Sequence, residues 1–505
     1  MIKKAFVLYG CQFYKALLPL VFIPLILSIL GTERYGMVAF FFLLVGVIGL
    51  LDAGISGTFI KLVSTNSASY NNYCKVLSLF WKIFIFFTAI SVAIIFFFSM
   101  TYDYIANQWL ETSLESLESS YAIKSIGVIL ALLYIKSYLA SFLTGMEKQE
   151  WLMIWSVVYS TLFYFGTYFA LDSIESTLFI FFYVLKITAL IDAAIIFSMV
   201  IFLSLRHKRK IISNYKRADE LDTNDDLTFR NVFKFAMNLS GLSLIWIIAT
   251  QIDKFVLTAY IPLQEYAKYQ LAVELTAAIT LISAPVSQML MPRLSTYYSE
   301  KKFESFSKLY CSSFLIFILA LTPIIPFLFF FGNEIIYLWL GDFELAGQVN
   351  GFAKWLVSAA FISATMNFIF IFLYCTGRLK IHFYAYSLYS MLTIPISIYV
   401  ASTYGATASA KFIFIHTVIF FLIWGGIQIK TNFNNLLFIL LKIILLITLV
   451  SILIFYFMFK YGIHSDNNYI VLFYPIINFT FLSFISYVFR FKIICIINSI
   501  RLKNV

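Results

Sequence analysis

Charged residues are scarce in this sequence, and their scarcity excludes a water-soluble fold. Only 12% of the 505 residues are Asp, Glu, Lys or Arg, whereas soluble domains carry about 25%. Hydrophobic residues make up 62% of the chain, and the mean hydropathy is +0.90. We therefore predict that the chain lies in a lipid bilayer.

Three further absences narrow the class of membrane protein. Apolar and polar residues do not alternate along the chain, which argues against a transmembrane β-barrel. The polar gaps are short, so we expect no soluble catalytic domain. The five cysteines have no metal-binding spacing, and there is no Lys-containing phosphate loop of the Walker type. We predict a protein that is not an enzyme and holds no metal or organic cofactor.

Long apolar stretches recur from one end of the chain to the other. A transmembrane helix needs about 20 mostly apolar residues, and we place about fourteen such helices. The predicted fold class is thus an all-α polytopic membrane protein. The predicted spans are roughly 5–30, 36–60, 80–99, 121–144, 151–171, 177–205, 231–260, 267–291, 312–331, 351–376, 381–401, 407–429, 434–459 and 469–490.

The sign of the charge in the polar gaps predicts the orientation. Lys and Arg accumulate in the gaps 206–230 and 292–311 and at the C-terminus, whereas the gap 100–120 contains only acidic charges. Because basic loops stay in the cytoplasm, we expect both termini inside, in a bacterial inner membrane. The net charge of +11 reflects this bias, so we expect no nucleic-acid partner. The cysteines fall at or near predicted cytoplasmic ends, where thiols stay reduced. They are Cys11, Cys74, Cys311, Cys375 and Cys495.

Short motifs recur in the two halves of the chain and indicate a duplication of six helices. A Thr-Gly-x-x-Lys motif begins at Thr144 and again at Thr376, 232 residues later, and a shift of 231 places Tyr35 on Tyr266. Two parallel repeats related by an axis along the membrane normal are typical of transporters. The predicted divisions are a first bundle at 1–205, a cytoplasmic basic linker at 206–230, a second bundle at 231–430, and two additional helices with a cytoplasmic tail at 431–505.

Several charged residues fall inside predicted spans. Such residues cost at least about 2.5–3.5 kcal/mol on insertion scales and usually face a protein interior or an aqueous cavity. The lysines are candidates for binding an anionic substrate, and the acids are candidates for coupling to H⁺ or Na⁺. The candidate lysines are Lys15, Lys136, Lys186, Lys254 and Lys411, and the candidate acids are Asp52, Asp192, Asp253 and Glu274.

Some of these charges also have simpler explanations. Lys15 and Lys411 are close enough to predicted span ends for their ammonium groups to reach the membrane surface. Lys186 and Asp192 are six residues apart, so they point about 120° away from each other on a helix and do not form a local pair. His416, also within a span, fits a hydrogen-bonded core residue better than a switch.

The order of several motifs resembles that of Wzx-type polysaccharide flippases, which belong to the multidrug/oligosaccharidyl-lipid/polysaccharide exporter superfamily. The similarity covers residues 1–490, and the joint order of the motifs is more specific than any one of them. The motifs are Gly31-Thr32-Glu33-Arg34-Tyr35-Gly36, Asp52-Ala53-Gly54, Leu143-Thr144-Gly145, Ile252-Asp253-Lys254-Phe255-Val256-Leu257 and Met291-Pro292-Arg293-Leu294-Ser295.

This resemblance implies two six-helix bundles around a central cavity that opens alternately to either side. It also implies a substrate, an undecaprenyl-diphosphate-linked oligosaccharide that moves to the outer leaflet for O-antigen or capsule synthesis. The implied partners are membrane lipids and the polymerase and chain-length regulator of the same pathway. Lys residues would supply compact positive charges for the diphosphate.

Two other functions remain open at this point. An exporter of cationic drugs would need an acidic, aromatic cavity, for which Asp253 and Glu274 are available. A membrane polysaccharide polymerase typically carries a large outer loop with Arg and His, and the gaps 100–120 and 332–350 contain neither. The sequence names neither the sugars nor the coupling ion.

Overall fold

Helices form almost all of the chain that the computed structural model describes, which is residues 2–52, 55–66, 70–110, 112–214, 229–432 and 436–460. Within these ranges there are fourteen α-helices and no β-strand. The all-α fold class is confirmed. The helices are α1 (Ile2–Ile48), α2 (Ile55–Asn66), α3 (Tyr70–Tyr104), α4 (Ser116–Gly145), α5 (Gln149–Ser173), α6 (Leu178–Asn214), α7 (Phe229–Tyr260), α8 (Leu263–Ser299), α9 (Phe303–Leu321), α10 (Ile324–Leu340), α11 (Phe343–Cys375), α12 (Leu379–Phe420), α13 (Gly426–Asn432) and α14 (Leu436–Lys460).

The helix boundaries differ from the predicted spans where backbone breaks occur. Helix α1 joins the first two predicted spans across Gly31 (φ 77°), and α12 joins the eleventh and twelfth across Gly405 (φ 72°). Glycine adopts these left-handed conformations without the steric cost that a Cβ would bring. The ninth span, predicted at 312–331, is wrong: α9 and α10 divide it at Pro323, since proline cannot donate a helical hydrogen bond.

Seven helical stretches in the described residues are long and apolar enough to cross a membrane, judged by length and composition. They include Ser116–Gly145 and Phe343–Cys375, which are the most buried of the seven. The fourteenth predicted span (469–490) lies outside the described residues. The chain is thus a multi-pass membrane protein.

The chain divides into two compact units, Met1–Ala267 and Lys268–Val505. Helix α6 continues to Asn214 and α7 begins at Phe229, so the first nine or so residues of the predicted 206–230 linker are helical. Residues 215–228 lie outside the described part. The predicted domain boundaries therefore stay a prediction.

Aromatic side chains join α3 to α4 in the first unit. Phe80 stacks on Tyr138 with ring centres 4.8 Å apart, and Phe87 stacks on the same ring at 4.4 Å. The Tyr138 hydroxyl donates to the Phe80 carbonyl oxygen at 2.9 Å. Such rings bury large apolar areas while the hydroxyl keeps a hydrogen-bond partner. These contacts hold α4 against α3.

The second unit repeats this arrangement between α9 and α11. The Tyr310 hydroxyl donates to the Phe368 carbonyl oxygen at 3.0 Å, and Phe314 stacks on Phe368 at 4.7 Å. Residues 310 and 368 lie 230 positions after residues 80 and 138. The same two positions are therefore bridged in both units, with the tyrosine on the opposite helix.

The turns that follow α4 and α11 give the same register of 230. Lys148 donates its backbone N–H to Leu143, and Arg378 donates to Leu373. Glu147 (φ 57°) occupies the left-handed position that Gly377 (φ 73°) occupies in the second unit. The predicted shift of 232 at the Thr-Gly-x-x-Lys motif is wrong by two residues, because the motif matched Gly145 with Gly377.

Candidate functional site

A buried ion pair lies inside the first unit between two helices that are distant in sequence. Lys136 of α4 forms an ion pair with Asp192 of α6, and the Asp192 side chain is only 1% exposed. The Lys136 side chain is 26% exposed, so its ammonium group can still reach another ligand. A buried carboxylate at this depth requires such a cation.

Two aromatic residues of α5 complete the surroundings of the pair. The Trp155 indole N–H donates to Asp192 Oδ1 at 2.8 Å, and the Lys136 ammonium lies 4.8 Å from the ring centre of Tyr159. Trp155 and Tyr159 are four residues apart and therefore lie on one face of α5. Neither residue was predicted from the sequence, although this spacing on a predicted helix could have indicated them.

A second lysine extends the positive charge of this site. Lys15 of α1 lies within electrostatic range of both Lys136 and Asp192. Helix α1 is held against α5 by the Tyr14–Thr161 hydrogen bond of 2.9 Å. Two ammonium groups are therefore within electrostatic range of one carboxylate. We call Lys15, Lys136 and Asp192, with Trp155 and Tyr159, the cationic cluster.

Lys186 precedes Asp192 on α6 by six residues, which corresponds to about 9 Å along the helix axis. Its ammonium donates to the Tyr121 hydroxyl at 3.2 Å and to the Ser125 hydroxyl at 3.4 Å. Both partners belong to α4. As predicted, Lys186 and Asp192 have separate partners. The interface of α4 with α6 thus carries positive charge at two depths.

The other predicted site residues of the first unit make local contacts. Asp52 accepts hydrogen bonds from the backbone N–H and the hydroxyl of Ser56, which stabilises the start of α2. Lys254 donates to Gln251 at 3.0 Å, and the neighbouring Asp253 is 4% exposed. A cavity shared by Lys136, Lys186 and Lys254 stays a prediction, as does a coupling role for the acids.

The remaining two predicted residues belong to the second unit. Glu274 accepts a hydrogen bond from Gln270 at 2.9 Å. The Lys411 ammonium lies 6.0 Å from the Trp355 ring, and Lys411 is exposed. Neither contact indicates a substrate or an ion by itself, so the roles predicted for both residues remain predictions.

The Gly31–Gly36 motif forms a polar connection at one end of the first unit. Arg34 pairs with Glu118 at 3.0 Å, and Glu118 accepts the backbone N–H of Leu178 at 2.8 Å, where α6 begins. Glu33 accepts the backbone N–H of Ser113 at 2.9 Å. The motif therefore joins α1, α4 and α6 rather than binding a ligand through these atoms. A cavity of about 380 Å³ lies beside it.

Comparison with known proteins assigns the family. The model of the family described as polysaccharide biosynthesis protein matches residues 1–298. The chain belongs to this family. A relative from Shigella flexneri, described as a putative O-antigen transporter, is 22% identical over 334 residues, which are 64% of this chain and 72% of the relative. The predicted family resemblance is confirmed.

Solved structures of transporters share the fold. The lipid II flippase MurJ in its inward closed conformation superposes with a TM-score of 0.69 at 16% identity, covering 97% of this chain and 100% of MurJ. An inward-facing multidrug resistance MATE family transporter of the MOP superfamily gives 0.55 at 15% identity, covering 84% and 94%. At these identities the likeness shows the fold alone.

Proposed function

We propose that this polysaccharide biosynthesis protein is a flippase for undecaprenyl-diphosphate-linked oligosaccharides. It moves the repeat unit from the cytoplasmic to the outer leaflet of a bacterial inner membrane, for O-antigen or capsule synthesis. The cationic cluster carries this proposal, because Lys136 pairs with Asp192 and Lys15 adds a second positive charge in electrostatic range, inside a membrane protein where uncompensated charge is costly. The family and the O-antigen transporter relative support the same general role.

The chemistry of the cluster suits a diphosphate. A diphosphate cannot cross hydrocarbon unless cations replace its hydration, and lysine ammonium groups supply compact charge for phosphate oxygens. Lys136 exchanges Asp192 for a phosphate oxygen, while Lys15 contributes a second positive charge. Trp155 keeps Asp192 in place at 2.8 Å during this exchange. Asp192 then receives Lys136 again when the substrate leaves.

The transport cycle follows from the exchange of partners at Lys136. Substrate enters the cluster from the cytoplasmic side and leaves to the outer side as the protein alternates between two conformations. Both termini lie in the cytoplasm, and the prenyl chain stays in the lipid. Release is coupled to H⁺ or Na⁺ through a carboxylate, for which Asp192 is best placed because it competes with the substrate for the same ammonium group.

A binding experiment tests the role of the cluster. Purified full-length protein is titrated with an undecaprenyl-diphosphate-linked oligosaccharide and, separately, with undecaprenol. Lys136→Met removes a charge-assisted hydrogen bond of about 1.5–3 kcal/mol, so we expect roughly 10- to 100-fold weaker binding of the diphosphate compound. Lys302→Ala is the matched control, because Lys302 is 61% exposed and pairs with Glu300 in a loop.

The same variants distinguish the proposal from export of cationic drugs. An exporter needs excess negative charge at its site, so Lys136→Met would leave ethidium efflux from cells unchanged or increase it. For the flippase we expect loss of surface polysaccharide without any change in efflux. Equal binding of the diphosphate compound by wild type and Lys136→Met would refute the role assigned to the cluster.

A further inference from the structure

Two histidines join the two arms of α12 in the second unit. Gly405 divides the helix into a first arm, 379–404, and a second arm that begins at residue 406 and continues into a π-helical turn, Phe421–Gly425. His382 of the first arm bonds to Trp424 of the second, and His416 of the second arm bonds to Tyr389 of the first. The two hydrogen bonds are reciprocal: each arm contributes one histidine and one aromatic partner.

The bond between Trp424 and His382 defines the protonation state of this imidazole. Trp424 Nε1 lies 3.1 Å from His382 Nδ1. An indole nitrogen can only donate, so His382 Nδ1 must accept and carries no proton. The ring of His382 is therefore neutral, with its single proton on Nε2. A proton added at Nδ1 would place two donors opposite each other and break the bond between the arms.

His416 occupies a closely packed aromatic environment nearby on the second arm. Its Nδ1 bonds to the Tyr389 hydroxyl, and its ring centre lies 4.8 Å from that of Phe412. Tyr389 also stacks on Phe420 at 4.1 Å. A hydroxyl can donate or accept, so the bond between Tyr389 and His416 can persist when His416 is protonated. The bond between Trp424 and His382 cannot persist when His382 is protonated, because both nitrogens would then be donors.

Trp424 lies in a stretch of backbone that is already irregular. The π-helical turn Phe421–Gly425 widens the helix where the indole leaves it, and such turns are frequent at functional sites. Gly425 approaches α11 closely: a Cβ there would lie 3.1 Å from Ile369 Cδ1 and 3.2 Å from Met366 Sδ. A change in the position of Trp424 would therefore reach the packing of α12 against α11.

No carboxylate compensates either imidazole among the described residues. Neither ring has an electrostatic partner there, and the aromatic neighbours are Phe370, Tyr386, Trp424, Tyr389 and Phe412. The other titratable or positively charged groups on these helices are Lys380, Tyr384, Tyr386, Tyr389, Tyr399, Tyr404 and Lys411 on α12, Glu344, Lys354, Tyr374 and Cys375 on α11, and Lys430 on α13. Glu344 lies in the first turn of α11, about 39 Å by helical rise from Phe370, the α11 residue that contacts His382. Protonated His382 would lose the hydrogen bond that it accepts from Trp424 and would gain no counter-ion. Because an uncompensated buried charge is costly, protonation favours separation of the arms and exposure of the imidazolium to water.

We propose that His382 is a proton-binding site and that its protonation releases Trp424 and separates the arms of α12. His416 and Tyr389 form the second connection, which holds the arms in register until the first bond breaks. The proton-binding site follows from the geometry of α12 and does not depend on which substrate the protein moves.

Nuclear magnetic resonance of the full-length protein in lipid nanodiscs tests this site. Histidine and the tryptophan indole are labelled with ¹⁵N and followed from about pH 8 to about pH 5, the range in which histidine changes charge. The chain has four histidines, and His382→Gln and Trp424→Phe assign the two signals. We expect both signals to shift with one common midpoint, and His382→Gln to abolish the shift of Trp424.

Two further variants make the result specific. Trp424→Phe removes a bond that favours neutral His382, so we expect roughly twofold to tenfold tighter proton binding at His382. His207→Gln, which alters a histidine beside Tyr73 in the first unit, leaves the Trp424 titration unchanged. If His382→Gln fails to fold, the midpoint shift in Trp424→Phe still decides the outcome.

The proposal is overturned if His382 stays neutral throughout the titration, or if the Trp424 signal does not follow it. An unchanged midpoint in Trp424→Phe also contradicts it. No sugar substrate is present in this experiment. Its outcome is therefore independent of the flippase assignment, which the binding experiment with Lys136→Met tests separately.

Discussion

Replacing Lys136 by methionine removes the ion-pair partner of Asp192 and should destabilise the first unit. Asp192 is 1% exposed, so it cannot regain water when the ammonium group is lost. Breaking a buried pair from one side costs about 3–5 kcal/mol. The 26% exposure of Lys136 allows some relaxation, and the Lys15 ammonium group still interacts electrostatically with Asp192, so we expect the lower end of this range, about 3 kcal/mol, for Lys136→Met.

The double variant Lys136→Met/Asp192→Asn separates stability from binding. With both charges removed, no uncompensated carboxylate remains, and the asparagine amide oxygen can still accept the Trp155 hydrogen bond of 2.8 Å. Replacing a buried pair by neutral residues is often close to neutral for stability. We expect the double variant to recover most of the lost stability while binding of a diphosphate substrate remains weak.

Thermal unfolding of the purified variants in detergent provides the measurement. We expect a clear decrease of the melting temperature for Lys136→Met, near wild-type melting for the double variant, and no change for the exposed-lysine control Lys302→Ala. A double variant as unstable as Lys136→Met would refute the reasoning, because the instability would then arise from lost packing of the lysine chain and not from the charge of Asp192.

Two further changes test the packing around the site. Trp155→Phe removes a hydrogen bond to the charged Asp192 and should lower unfolding stability by about 1.5–3 kcal/mol, as measured by thermal unfolding against wild type. Gly36→Ala places a methyl group 2.6 Å from Leu263 Cγ and should cost about 1–3 kcal/mol. Gly10→Ala meets nothing within 4 Å and serves as its control, so equal melting of the two alanine variants would contradict the described contact.

The sequence predicted which residues carry unusual charge better than it predicted their partners. Lys136 and Asp192 were recognisable because each interrupts an apolar stretch, but their pairing depends on how α4 packs against α6. A pair separated by so many residues has no local signal. Trp155 and Tyr159 were missed because an aromatic residue in a membrane span is usually part of the apolar packing.

Backbone breaks were only partly predictable for a similar reason. Gly31 and Gly405 lie in short gaps between predicted spans. In the structure each adopts a left-handed conformation within a continuous helix, Gly31 in α1 and Gly405 in α12. The repeat register was wrong at the Thr-Gly-x-x-Lys motif because Glu147 adopts the left-handed conformation that Gly377 adopts in the second unit. The motif aligned the two halves by their glycine residues, whereas the backbone hydrogen bonds show that the two turns align at a shift of 230.

The register of 230 shows that the two repeats place different chemistry at matched positions. Tyr159, which lies against Lys136, corresponds to Tyr389, which bonds to His416. Lys136 itself corresponds to Met366, an apolar residue beside the π-helical turn. The first unit thus holds a permanent cation where the second holds none. A fixed positive charge at position 366 of α11 would oppose protonation of a nearby imidazole, so the apolar Met366 suits a proton-binding site on α12. The matched positions thus hold a permanent charge in the first unit and neutral rings in the second, so the proposed proton-binding site on α12 is chemically distinct from the cationic cluster.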